Sequence, residues 1–353
     1  MRWQLLYNRG LMACIFLTSF GVSMVYADSA FDAEIPVDDE GNVPFRFVHK
    51  AMGTDFVFDI YMREGDVGYD DLAPLAEEAF ELVDALEQEI SSWIKTSDTS
   101  QINAFGAKEP VPVRQGVYDL LEFSRKVHRE TDGIFDITVG PLIELWKIPL
   151  AEGTVPDAKE LTKVLNRVDM NKVKIDPDGK KVSFAVEGMR ISFGGIGKGL
   201  ALDRAAEYLI KEGVKSALLA GGNSSMVGIG APPGKEFWNI GIHNPYNDGM
   251  SLETVRLRNQ ALSTSACYHH LAGVTGEPCG IFDPLTGQTA TDLLSATVVA
   301  QTGMQTDALS TSFYVMGIDE VAKYCKTHPE VSAILVPNPN DSKPKPVYIN
   351  MDK

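Results

Sequence analysis

The sequence predicts an α+β fold of mixed or antiparallel sheets with packed helices. Three observations predict it. Apolar residues at three- and four-residue intervals mark a few long helices. Short β-type runs crowd the second half of the chain. Helices and strands follow one another without the regular βαβ rhythm of a doubly wound sheet.

Each element has a local cause. "FRFVHKAMGTDFVFDIYM", residues 45–62, gives two strand-like runs broken at "MGT". From Asp71 to Trp93 the residues Leu72, Leu75, Ala79, Leu82, Leu86, Ile90 and Trp93 trace one face of an amphipathic helix. "TSDTSQINAFG" reads as loop with a short turn. A second helix covers Gly116 to Glu130 and stops at the "TDG" turn. Between Lys172 and Ile191, short β-type runs alternate with "DPDG" and "EG" turns as in a meander. The next helix runs from Gly197 to Lys211 and ends at Gly213. Strand runs "SALLA", "SSMVGIG", "WNIGI", "TVRL" and "ALSTS" follow. After the "DPLTG" turn, "SATVVA" is a strand, "MQTDALSTSFYVMG" a helix and "DEVAKYCKTH" another, before the closing strands "VSAILV" and "PVYI".

The first residues address the chain rather than fold it. Arg2 and Arg9 precede the apolar stretch "LMACIFLTSFGVSMVYA", which ends on small residues at Ala27. Residues 1–27 therefore read as a secretory signal peptide, with an uncleaved anchor as the alternative. "LMAC" at Leu11 to Cys14 is a faint lipoprotein pattern inside that apolar run. Residues 28–44 are acidic and read as a flexible entry, and 45–353 as the folded part. No other segment is apolar enough to span a bilayer, so the mature chain is expected to be periplasmic. The formal net charge is −16, and loss of Arg2 and Arg9 makes it more negative. Such a surface argues against nucleic acid and anionic membranes as partners. A polyanionic substrate would then need local help from a metal or a few placed lysines. Beyond Cys14 the cysteines are Cys267, Cys279 and Cys325. One Cys267–Cys279 bridge and three unpaired thiols are the two readings left open.

Three segments carry candidate chemistry. In "TDALSTS", Asp307 and Thr311 are four apart on an expected helix and so share a face. A carboxylate and a hydroxyl are hard oxygen ligands that suit Mg²⁺. An acidic residue near a helix N-terminus with a buried threonine is the plainer reading. In "ISFGGIGKGLALD", Gly194, Gly195, Gly197 and Gly199 surround Lys198 before a helix. This fits neither a P-loop, which needs Ser or Thr after its Gly-Lys, nor the G-x-G-x-x-G fingerprint. Amides at a helix start and Lys198 together make an anion site; close helix–sheet packing is the other use of such glycines. "GGNSS" at Gly221 to Ser225 is a second glycine turn, and "DPLTG" at Asp283 to Gly287 has ordinary turn chemistry. "SWIK" at Ser92 to Lys95 matches S-x-x-K, but Ser92 stands at a helix end and no S-D-N or K-T-G accompanies it.

Taken in chain order, eight segments resemble the FAD:protein FMN transferases, or ApbE family. They are "MGT" (52–54), "SDTSQIN" (97–103), "TDGIFDITVGPLIELWKI" (131–148), "GGIGKGLALD" (194–203), "LLAGGNSSMVGIG" (218–230), "LSTSACY" (262–268), "IFDPLTGQ" (281–288) and "SATVVAQTGMQTDALSTSFYVMG" (295–317). The resemblance implies a T-fold-related α+β domain over 45–353. It implies Mg²⁺-dependent transfer of FMN from FAD to a Thr or Ser hydroxyl of an exported flavoprotein, with AMP released. Asp307, Thr311 and the carbonyl of Gly195 would hold Mg²⁺. Asp307 and Lys198 would serve catalysis, with Asp307 also orienting or deprotonating the acceptor hydroxyl. Met52, Gly53, Thr54, Trp93, Asp132, Gly194, Lys198, Asp203, Gly222 and Thr264 would line the FAD cleft. Trp93 would stack on a ring or simply end the helix core.

The departures from the family pattern are specific. Ser192 replaces an Asp, Gly280 a His and Leu285 an Arg, and Ala266 ends a "TSG" element. His269 and His270 are nearby replacements in sequence. Two other activities therefore stay open: FAD hydrolysis to FMN and AMP, and FAD binding without turnover. Self-modification at Thr297 in "DLLSAT" competes with a buried strand there.

Overall fold

The computed structural model describes residues 44–351 except 64, 67, 177, 179, 246–249, 268–279 and 339–344. The expected signal peptide, the "LMAC" pattern, His269, His270 and Cys279 lie outside the described residues.

An eight-stranded antiparallel sheet organises the chain, in the order β1-β2-β6-β7-β10-β11-β12-β13. The strands are β1 (Phe45–Ala51), β2 (Thr54–Ile60), β6 (Ala217–Gly221), β7 (Ser225–Ile229), β10 (Ala261–Ala266), β11 (Leu293–Ala300), β12 (Ser332–Pro337) and β13 (Val347–Ile349). Side chains alternate across a pleated strand, so neighbours in sequence face opposite layers. Leu219, Ala261 and Val298 enter the main core beneath three helices. Leu218, Leu262 and Val299 enter a second core against Trp238 and Ile240. Those two belong to the hairpin of β8 (Trp238–His243) and β9 (Ser251–Leu257). Both faces are covered, which is why β6, β7 and β11 are buried throughout.

The helical layer is formed by α1 (Tyr69–Ile90), α6 (Gly197–Lys211) and α7 (Gly303–Thr327). α1 begins and ends within three residues of its expected limits, and α6 matches its own. α7 bends at Gly317, whose φ of 74° lies outside the helical region. The bend divides it into the two helices read from the sequence. The remaining elements are α2 (Asp98–Phe105), α3 (Gln115–Glu130), α4 (Gly140–Glu152), α5 (Ala158–Leu165), and β3 (Val111–Pro112), β4 (Val173–Asp176) and β5 (Lys181–Phe184) in a small sheet. The fold is α+β, as expected.

Three helices depart from the sequence reading. α2 occupies the stretch read as loop; Ser97 caps it by accepting a hydrogen bond from Ser100 N–H. α5 is one short amphipathic element capped by Asp157, which accepts from Lys159 N–H and Glu160 N–H. α4 holds Pro149 near its end and a mostly apolar first half, so its periodicity is weak. Its Trp146 donates from Nε1 to Gly287 O at 2.8 Å and packs with Leu142, Leu161 and Phe282. That contact fixes the "DPLTG" turn to the body of the protein.

The start of α7 is doubly capped. Thr302 accepts from Gln305 N–H, while both oxygens of Asp203, on α6, accept from Gly303 N–H at 2.6 Å and Met304 N–H at 2.8 Å. Burial pushes the Asp203 carboxyl up to about 6, against the two amide donors that favour its ionised form. A raised carboxyl stabilises the fold below its unfolded pKa of 3.8 and loses that contribution as pH rises through about 6. The shift of about two pH units corresponds to ~3 kcal/mol. Asp203→Asn is expected to flatten the stability profile across this window, checked by urea unfolding between pH 4 and pH 7. An unchanged slope would remove Asp203 as the titrating group.

Candidate active site

Asp307 lies on the second turn of α7 and is only 5 % exposed. Three elements supply hydrogen bonds to its carboxylate. Gly199 N–H, in the first turn of α6, donates to Oδ2 at 2.7 Å. Ser225 of β7 and Ser263 of β10 each donate from Oγ to Oδ1 at 2.6 Å. The two serines are direct partners across the β7–β10 ladder, so one cross-strand pair presents both hydroxyls to one oxygen. A buried carboxylate needs such donors, and these fix its rotamer.

Around Asp307 runs a belt of hydroxyls. Ser263 is 3.0 Å from Thr306 Oγ1, and Ser265 lies 3.0 Å from Ser310 Oγ and 3.3 Å from Thr311 Oγ1. Thr311 faces the glycine turn: its Oγ1 is 3.4 Å from where a Cβ on Gly195 would stand. Thr311 and Gly195 therefore approach each other from two segments far apart in sequence, one helical turn beyond Asp307. Among the described residues no three His, Cys, Asp or Glu side chains gather as a metal cage. One carboxylate, one hydroxyl and a nearby carbonyl instead match a hard cation that keeps waters and takes substrate oxygens. The donor set fits Mg²⁺.

Lys198 is half-buried in the first turn of α6, where Gly197 N–H donates to Phe193 O and Gly199 N–H to Asp307. Gly194 is exposed at the same turn and its N–H faces Ser192 Oγ at 3.4 Å. Met52, Gly53 and Thr54 line a cavity of about 560 Å³ that Glu87 and Lys50 also border. Gly222 joins this group, since its N–H donates to Asp55 O at 2.8 Å and its Cα closes on Thr54. Met52 is held at φ 50° and Asp132 at φ 49°, left-handed conformations uncommon for side-chain-bearing residues. The two strained residues stand at the rims of two different cavities.

The structure also separates some expected neighbours. Asp203 is committed to the cap of α7 by both of its oxygens. Thr264 falls on the face of β10 opposite Ser263 and Asp307, and its hydroxyl meets Thr297 Oγ1 at 2.9 Å. Thr297 is 1 % exposed in β11, so it is a buried strand residue and not an accessible acceptor. Trp93 lies beyond the end of α1 and is 87 % exposed, which excludes the reading that it closes the helix core. Ser92 is in the same exposed turn, away from any helix start.

The ApbE family profile matches residues 52–335. This chain belongs to the ApbE family. It is 27% identical over 271 residues to a protein named FAD:protein FMN transferase from Klebsiella pneumoniae, covering 76% of this chain and 83% of that one. It is 29% identical over 275 residues to the protein of that name from Treponema pallidum, covering 74% and 76%. Among solved structures, the ApbE protein from Thermotoga maritima superposes with a TM-score of 0.72 at 26% identity, over 83% of this chain and 94% of that one. The apo flavinyl transferase ApbE from Pseudomonas stutzeri gives 0.74 at 23% identity, over 87% and 94%, and supports the fold.

Within this ApbE family member the departures cluster at the periphery. Ser192 is half-buried at the glycine turn, and its N–H donates to Ile137 O. Leu285 is exposed at the tip of the "DPLTG" turn, where Asp283 accepts from Leu285 N–H and Thr286 Oγ1. Cys267 is disulfide-bonded, and Cys325 is free and buried, its thiol pushed up to about 12 by burial. Ser225 and Ser263 went unrecognised in the sequence reading. Their only sequence signal is a serine at an inward position of a buried strand, which becomes meaningful once a carboxylate is seen above it.

Gly199 is the point where α6 and α7 touch. A Cβ there would stand 2.1 Å from Gly303 O, a distance no relaxation of a side chain can relieve. Gly199→Ala is expected to lower stability by at least the ~1–3 kcal/mol typical of overpacking, measured by denaturant unfolding. A variant as stable as the parent would show that the helices do not meet this closely.

Proposed function

We propose that this ApbE family member transfers FMN from FAD to a Thr or Ser hydroxyl of an exported flavoprotein and releases AMP. The observation that carries the proposal is the buried Asp307, held by three donors that include Gly199 N–H at the start of α6, with Thr311 one turn along α7 against Gly195. The names of its relatives give the donor and the transferred group.

The chemistry divides among the residues on physical grounds. In phosphoryl transfer of this kind the acceptor oxygen forms a bond to the FMN phosphorus, the bond to the AMP phosphate breaks, and the hydroxyl proton must leave. Such reactions depend mainly on positioning and charge neutralisation. The Lys198 ammonium, at the positive end of the α6 dipole, attracts the pyrophosphate in an otherwise acidic protein. Asp307, Thr311 and Gly195 would hold Mg²⁺, which when bound neutralises phosphate charge. With three inward hydrogen bonds, Asp307 keeps limited capacity for the substrate side, so orienting the acceptor hydroxyl is its natural second task. Met52, Gly53 and Thr54, with Gly222 against Thr54, border one space for FAD and Asp132 another. The protein itself supplies no nucleophile.

Export is part of the proposal. A disulfide at Cys267 suits an oxidising compartment such as the periplasm. Among the described residues no helix is long and apolar enough to cross a membrane. The absent His and Arg at Gly280 and Leu285 favour one second reading, a protein that binds FAD without turning it over; hydrolysis of FAD to FMN and AMP by water is the other alternative.

Mass spectrometry of the mature protein with FAD, Mg²⁺ and an exported flavoprotein domain separates these readings. The expected product is an acceptor carrying the mass of an FMN phosphoester, with AMP released. Free FMN and AMP with an unmodified acceptor would establish hydrolysis, and intact FAD would leave a binding protein. Asp307→Ala is expected to abolish Mg²⁺-dependent turnover. Thr311→Ala is expected to lower it roughly 10- to 100-fold, the range for groups that support a metal centre. Unchanged rates in both variants would dismiss the metal assignment.

A further inference from the structure

A second cavity of about 560 Å³ opens where α3 ends, between the Asp132–Gly133 turn and the "DPLTG" turn. Its two walls differ in chemistry. One is apolar and built by Leu165, Val168, Pro284 and Leu285. The other is polar, with His128, Asn171 and the carboxylates of Asp132, Asp136 and Asp169, and Arg129 at its rim.

His128 is buried and held in one orientation. Its Nδ1 is 2.9 Å from Phe135 O, and because a carbonyl only accepts, Nδ1 carries the proton and donates. Asp136 Oδ2 lies 3.5 Å behind the same nitrogen. Asp136 is fixed in turn by Thr138 N–H, Thr138 Oγ1 and Met170 N–H. Nε2 is left at the cavity side with only a long 3.4 Å contact from the exposed Asn171 amide. A Cβ on Gly133 would find Leu285 Cδ2 at 3.4 Å and His128 Cε1 at 3.6 Å, so the leucine and the imidazole converge on one spot.

That convergence bears on the residues this chain lacks. Where the family pattern has a His at 280 and an Arg at 285, this chain has Gly280 and Leu285. An imidazole and a guanidinium from α3 line the cavity that Leu285 borders. Three carboxylates along the polar wall oppose entry of a pyrophosphate. A flat apolar wall opposite a hydrogen-bonding wall suits a planar nitrogen heterocycle. FAD offers two such rings, isoalloxazine and adenine, and both carry N–H donors on an edge.

We propose that His128 is a specificity-determining residue that contacts the substrate. Through Nε2 it accepts a hydrogen bond from the N–H edge of one FAD ring, in the cavity that Leu285 borders. The proposal rests on the flavin-transfer reading, and its test separates the two. FAD, AMP and riboflavin are titrated calorimetrically into the full mature chain and into two variants, His128→Leu and Leu285→Trp. Leu285 is 60 % exposed, so its replacement fills the cavity without entering the core and decides the matter if His128→Leu fails to fold.

The expected result is FAD binding weakened by about 10-fold, the loss of one buried hydrogen bond, in His128→Leu. Only one of the half-ligands is weakened in parallel: AMP if adenine occupies the cavity, riboflavin if the flavin does. Leu285→Trp weakens the same half. Equal weakening of both halves would mean that His128 only supports the fold, and unchanged binding in both variants would mean the cavity is not used; either overturns the proposal. Absence of FAD binding by the parent chain would instead refute the flavin-transfer reading on which it rests.

Discussion

A carboxylate buried between helices and sheet needs donors from the elements around it, and Asp307, on α7, has them from α6, β7 and β10. Gly199 on α6 and Ser225 and Ser263 on the sheet converge on its two oxygens. An unpaired ionised group at this depth costs several kcal/mol, so the arrangement holds only when α6, α7, β7 and β10 are all in place. The site and the fold therefore depend on the same three hydrogen bonds. They also leave Asp307 in one orientation, with Thr311 one turn further along the helix and Gly195 opposite it.

The closeness of α6 and α7 follows from what their first turns lack and what they carry. Gly199 has no side chain, and so Gly303 O can approach its Cα. Asp203, four residues along α6, answers the free amides at the start of α7. The same glycine-rich segment that admits α7 carries Lys198 in the first turn of α6. The contact with Gly303 gives this segment a packing role, and the anion site read from the sequence belongs to the proposed function.

The periphery of the site is built differently from its centre. The Asp307 cluster is deep and tied to regular elements, whereas two cavities of the protein are bordered by turns: "MGT" in one, "TDG" and "DPLTG" in the other. Trp146 fixes the last of these through Gly287 O, so its loop position is rigid even though its tip residue Leu285 is exposed. Substitutions at such tips change recognition without disturbing the core, and it is there that Gly280 and Leu285 depart from the family pattern. His128 and Arg129, on a helix end packed against the same turn, bring polar groups to that place from another direction.

By itself the sequence determined the elements whose causes are local. The period-2 runs became the strands of the sheet, the long apolar spacings became α1, α3, α6 and α7, and even the break at Gly317 was readable. The spacing of Asp307 and Thr311 fixed their common face, and the ordered motifs identified the family. α2, α4 and α5 were missed because short or proline-bearing helices carry weak periodicity, although Ser97 and Asp157 were legible caps. What only the tertiary structure decided were contacts across long sequence distances. The pairing of Ser225 with Ser263 under Asp307, the capture of Asp203 by α7, the opposite facing of Thr264 and the exposure of Trp93 depend on strand register and helix crossing. Those are set by how whole layers bury their apolar faces, a sum over many residues that no single spacing records.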